Sequence, residues 1–133
     1  MSESVTVTIT GLEEFGRAAA QVVDVVRTAR RTAASASGAR VAASARARLN
    51  AVTHGTGATA ASITAKTTSS GKVLIGAEPV RGRHPLLVVW LEYGTVKMPA
   101  RPFMRPATEA ERAPFHKQQE AVANDALRAL FKD

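Results

Sequence analysis

Leu86-Leu87-Val88-Val89-Trp90-Leu91-Glu92-Tyr93-Gly94-Thr95-Val96-Lys97-Met98-Pro99-Ala100-Arg101-Pro102-Phe103-Met104-Arg105-Pro106-Ala107 is the stretch on which the reading of the fold turns. It opens on the longest uninterrupted apolar run in the chain, Leu86 to Leu91. Rich in β-formers, Leu86 to Tyr93 reads as a central strand buried on both faces. Glu92 then ends an apolar strand, where an unpaired carboxylate is costly, so Arg101 or Arg105 is its expected partner. Gly94 permits a positive φ, and Pro99 and Pro102 punctuate an extended crossing. Phe103 and Met104 anchor that crossing, and Pro106 suits the first turn of a closing helix. The stretch therefore reads as a strand-to-helix corner.

Upstream, Val5, Val7 and Ile9 alternate with threonines and predict a half-buried strand over residues 1–10. Gly11 ends it, and Thr10 with Glu13 has the spacing of a capping box. Leu12, Phe15, Ala19, Val22, Val23, Val26 and Ala29 recur at helical steps and mark the apolar stripe of a long helical arm over residues 11–50. The Ala/Arg segment to Leu49 sustains it, with Gly38 as a point of kink or break. Residues 50–57 read as helix exit and loop, and Ser62–Thr68 and Lys72–Ala77 as a hairpin turning at Ser69-Ser70-Gly71. Glu78–Pro85 is an exposed basic loop with Arg81, Arg83 and His84. The closing helix presents Phe115, Val122, Ala126, Leu127, Leu130 and Phe131 on one face, and Pro114 interrupts its continuity. The expected fold class is α+β: a single domain over 1–133, its long N-terminal helix and C-terminal helix packed on a small antiparallel sheet within residues 56–95. Residues 96–133 form the Pro-rich connection and C-terminal helix.

The 133 residues suffice for one domain, and 45% hydrophobic content supports a packed core. The absence of cysteine excludes disulfide frameworks, Cys-ligated metals and thiol nucleophiles. Residues 1–10 lack a basic segment followed by an apolar one, so no secretory signal is read, and no run approaches the roughly 20 apolar residues of a membrane span. A soluble chain made in the cytoplasm is expected.

Nothing in the sequence argues for an enzyme. His54, His84 and His116 are far apart and outside any metal-ligand spacing, and no serine lies in a nucleophile elbow. Gly55-Thr56-Gly57-Ala58-Thr59 lacks the spacing and lysine of a phosphate loop. Glu109, Glu111 and Glu120 read as a solvated helix face. No metal or cofactor is expected.

The net charge is +7, and +6 of it falls between Phe15 and Asn50, where seven arginines face one acid, Asp24. Arg27, Arg30, Arg31, Arg40, Arg46 and Arg48, with Arg81 and Arg83, are the candidate contacts to DNA phosphates or to an acidic partner. The plain alternative is a solubilising helix face. No aromatic residue interleaves with these arginines, so any DNA contact would be electrostatic and blind to sequence.

Leu91 to Ala107 resembles the signature of the HK97 gp10-like family of tailed-phage proteins, a (V/L)E(F/Y)GT–K–MPA–PF–RPA string, almost throughout. Thr56-Gly57 with Ser62-Ile63 is similar to that family's TG-x-L-x-x-SI element, with Thr59 at a position that is apolar there. The basic loop Arg81–His84 departs from the pattern. The resemblance, over Leu12 to Leu130, implies a non-enzymatic neck component of the virion: a tail-completion or head–tail connector protein assembled in the host cytoplasm. It implies a homo-oligomeric ring, of six copies, held between other neck proteins and the tail tube or terminator, with double-stranded DNA passing through the lumen. It also implies that Glu92, Tyr93, Gly94, Thr95, Met98, Pro99, Arg101, Pro102, Phe103, Arg105 and Pro106 hold the corner or meet a neighbouring subunit. The arginine helix is expected to face neighbouring subunits or partner proteins as much as the channel. The competing expectation is a small, basic, nonspecific DNA-binding protein of the nucleoid type.

Overall fold

The computed structural model describes residues 8–54, 57–84 and 86–130. Helix α1 (Leu12–Val52) is continuous over 41 residues, roughly 60 Å at 1.5 Å per residue. It starts after Gly11 at φ 92°, and no side chain caps its first turn, so Thr10 does not form the expected capping box. Glu13 and Glu14 complement the positive end of the helix instead. Most of the expected N-terminal strand lies outside the described residues, and residues 8–10 belong to no strand.

Ala33, Ser37, Gly38, Val41, Ala42, Ala45 and Leu49 form the buried face of α1. The short helix α2 (Ala58–Ala61) leads into a two-stranded antiparallel sheet, β1 (Ile63–Thr67) and β2 (Val73–Ala77), with Ile63 opposite Ala77 and Thr67 opposite Val73. Gly71 supplies the positive φ of the turn. One face of this hairpin lies across α1 at Gly38, where the missing side chain permits close approach rather than a kink. Arg46, set among the buried positions Ala42, Ala45 and Leu49, donates from Nε to the Ile63 carbonyl at 2.8 Å and ties β1 to the helix.

Leu87–Tyr93 is a helix, α3, and not the expected central strand. A short apolar run fits either a buried strand or a helical segment by pattern alone. Among the described residues the sheet has only the two strands of the hairpin, and the run does not join it. Its backbone is satisfied internally, Trp90 N–H to the Leu86 carbonyl at 2.9 Å and Gly94 N–H to the Trp90 carbonyl at 2.8 Å. Only Leu91 and Glu92 are buried, while Val89 and Tyr93 face solvent, the mark of a helix covered on one side.

Helix α4 (Met104–Leu130) has Pro106 in its first turn and runs on through Pro114. Pro114 and Ala110, whose carbonyl loses its partner, are both exposed, so water can take the vacated bond. Phe115, Val122, Ala126 and Leu127 are half-buried or buried, as expected for the inner face; the side chains of Leu130 and Phe131 lie outside the described residues. Contacts of Arg30 with Gln119 and of Ser37 with Glu111 show α4 running antiparallel to α1. The core joins Val41, Ala42, Ala45 and Leu49 of α1 to Ala60, Ile63, Leu91, Phe103 and Ala107. The class is α+β, two long helices on a small antiparallel sheet. No described helix is long and apolar enough to cross a membrane.

Candidate functional site: the helix corner and the arginine face

The residues from Glu92 to Pro106 are largely one another's partners. Glu92, 9% exposed in the last turn of α3, accepts three backbone N–H groups from the start of α4. Oε2 takes Phe103 at 2.8 Å and Met104 at 2.9 Å, and Oε1 takes Arg105 at 3.0 Å. These are unpaired donors of a helix N-terminus, and a carboxylate suits them by hydrogen bonding and by charge. Burial pushes the Glu92 pKa up, but the three N–H donors and the nearby Arg105 charge outweigh it and hold the carboxyl below its ordinary value.

The expected side-chain partners of Glu92 are thus corrected. Arg101 lies elsewhere: its guanidinium donates to the Val52 carbonyl at the end of α1 at 3.0 Å, and its N–H to the Leu91 carbonyl at 2.8 Å. Arg105 acts on Glu92 through its charge and its backbone, while its guanidinium lies 5.9 Å from the Tyr93 ring centroid.

Gly94 closes α3 at φ 78°, and a Cβ there would stand 2.7 Å from Ala100 N and 2.9 Å from the Met98 oxygen. Thr95 and Met98 pair across the tight turn between them, 2.8 Å from Thr95 N to the Met98 oxygen. Pro99 and Pro102 fall in the extended crossing, and Phe103 is fully buried beneath it. The corner is a helix-to-helix joint locked by a buried carboxylate.

The arginines divide. Arg40 donates from Nε to Glu111 at 2.8 Å and from Nη2 to Gln118 at 2.6 Å, and Ser37 completes the set at 2.9 Å from Glu111. Glu111 is therefore half-buried against α1, not part of a solvated face. Its Arg40 hydrogen bond, opposed by burial and aided by Ser37, holds its pKa below the ordinary value. Arg46 is bound to Ile63, and Arg31 donates to the Thr68 carbonyl at 3.1 Å. Arg27 makes an exposed pair with Asp24 at 3.6 Å, and Arg48 reaches Ser44 at 3.4 Å. Arg30, Arg81 and Arg83 are exposed. As a helix, α1 also includes Glu13 and Glu14, so its net charge is +4 rather than +6.

His84 stacks on Trp90 with ring centroids 4.3 Å apart, and His54 and His116 lie apart from it on other elements. Among the described residues no three His, Asp or Glu converge as a metal site would require.

Sequence reasoning missed the bonds of Arg31, Arg46 and Arg101 to carbonyls. Arg46 carried a signal, because it occupies a position on the buried stripe; the other two did not.

The stripe expected on the first half of α1 is largely uncovered. Leu12, Phe15, Ala19 and Val23 are exposed, and Val22, Val26 and Ala29 are half-buried beside α4. A groove of about 730 Å³ opens there between α1, the hairpin turn and α4.

Comparison of the chain with protein-family models, curated proteins and solved structures found no match.

Proposed function

We propose that this chain is a structural virion protein of a tailed bacteriophage, a ring-forming tail-completion or head–tail connector component that joins the head to the tail tube and lets DNA pass. One observation carries the reading. The string from Leu91 to Ala107, on which the resemblance rests, is folded into a single joint whose polar groups find partners inside the subunit: Glu92 with the start of α4, Arg101 with the end of α1, Thr95 with Met98. That is the use a shape-defining part makes of such a motif.

The uncovered stripe of α1 supports assembly, because large apolar side chains left in water favour burial against a neighbour. Several arginines favour the structural reading over the nucleoid-type alternative: Arg31, Arg40 and Arg46 are engaged inside the subunit, which reduces the cationic surface for phosphates. In the proposed ring, of six copies, the remaining basic groups line subunit and partner surfaces as well as the DNA passage. The site of action is the virion neck or tail, with assembly in the host cytoplasm.

Sizing and electron microscopy of the purified chain, alone and with tail proteins, test the proposal. Rings with a central opening, alone or in company, are expected. A monomer or dimer with micromolar, steeply salt-dependent DNA affinity and no assembly would replace it with the nucleoid-type reading.

A further inference from the structure

The first turn of α1 is uncovered, and a groove opens further along the same helix. The groove between α1 and α4 has an apolar floor that includes Val22, Val26, Ala123 and Leu127, and Arg27, Arg30 and Arg31 also line it. None of its described lining residues is acidic. Arg31 is held by its bond to Thr68, Arg27 leans on Asp24, and the Arg30 guanidinium has no partner among the described residues.

Earlier on the helix, Leu12 and Phe15 are 67% and 73% exposed and flank Glu13 and Glu14. Glu13 makes only a long exposed pair with Arg17, at 3.8 Å, and the Glu14 carboxylate has no partner among the described residues. The helix N-terminus contributes about half a positive unit charge, which leaves this turn net negative. No other described segment sets two acids between two large exposed apolar side chains.

We infer that the first turn of α1 of one copy docks in the α1–α4 groove of a second copy. Leu12 and Phe15 lie on the valine and leucine floor, and Glu13 and Glu14 face Arg27 and Arg30. A chain does not make this contact with itself, because turn and groove are fixed on one continuous helix, about 20 Å apart along its axis. The contact joins two different surfaces, so it propagates head to tail until a rotation closes it. It rests on the proposed ring only for that closure; the docking needs just two copies.

Sedimentation of four samples tests it: the natural chain, E13R/E14R, R27E/R30E, and an equimolar mixture of the two variants. All four positions are exposed, and circular dichroism checks that helix content is kept. The natural chain is expected to self-associate, each variant alone to do so about tenfold or more weakly, and the mixture to recover, since both new contacts again oppose unlike charges. A natural chain that stays monomeric, variants that associate normally, or a mixture that fails to recover overturns the docking. So does an R27E/R30E variant that loses DNA binding yet associates normally, which would make the groove a phosphate site. Electron microscopy separates the two readings. Rings indifferent to the reversals remove the docking and keep the ring; charge-dependent dimers or open fibres keep the docking and remove the ring.

Discussion

Gly38 and Val73 stand so close that a Cβ on the glycine would lie 2.4 Å from Val73 Cγ1. The hairpin is seated on α1 through this contact, and it explains a glycine in the middle of a long helix. Replacing Gly38 by Ala improves helix propensity by about 1 kcal/mol, whereas forcing the stiff Val73 side chain aside costs about 1–3 kcal/mol. Gly38→Ala is therefore expected to be neutral to destabilising in the natural chain. In a Val73→Ala background the same change should stabilise. Urea unfolding of the four proteins in this cycle checks it, and the same sign in both backgrounds would show that the contact does not matter.

Removing the Glu92 carboxylate leaves three helix-start N–H groups without their acceptor. Glu92→Ala should cost about 3 kcal/mol, the range for hydrogen bonds to a charged group with little solvent to replace it. Amide hydrogen exchange at Phe103, Met104 and Arg105 should accelerate more than elsewhere in α4. Uniform acceleration along the helix would mean that Glu92 contributes bulk rather than a cap.

Acid should weaken the fold through two carboxylates. Glu92 and Glu111 both have folded-state pKa values below the ordinary one, so each contributes stability that is complete above the unfolded value, about 4.3. That contribution declines as pH falls through the folded values. Thermal midpoints should be flat from neutral pH to about 5 and drop below about 4. In Glu92→Gln and Glu111→Gln the acid limb should be shallower, and an unchanged limb in both would place the acid sensitivity elsewhere.

Arg40 and Glu111 join the two long helices, with Ser37 as a third partner. A double-mutant cycle with Arg40→Ala and Glu111→Ala should give a coupling of about 1 kcal/mol, at the upper end for ion pairs because Glu111 is half-buried. Raising salt should reduce the coupling only slightly. Arg40→Ala should leave any DNA affinity unchanged, since its guanidinium already faces Glu111 and Gln118.

The parts legible in the sequence are those fixed by local rules. Helical spacing announced α1 and the inner face of α4, alternation and Ser-Ser-Gly announced the hairpin, and Gly94 was readable as a positive-φ position. The failures are contacts between distant segments or patterns with two solutions. Leu86 to Leu91 is apolar enough for either a strand or a helix, and its pattern alone does not decide for α3. Glu92 found its partners in the backbone eleven to thirteen residues on, where composition carries no trace. Pattern alone also could not tell that Leu12, Phe15, Ala19 and Val23 would remain uncovered while the stripe from Ala33 to Leu49 sealed the core.

That division within α1 gives one rod two different strengths. Beyond Ala33 the helix is welded to the hairpin and α4, and its amides should open only when the whole domain unfolds. Before Val22 every described position is exposed, and the helix persists there as a continuation of one already nucleated further along. The arm is thus pre-shaped but weakly held, so a binding partner meets a straight helix without having to nucleate it. Ordering that remains to be completed on contact would then scale with how far along the rod the contact reaches.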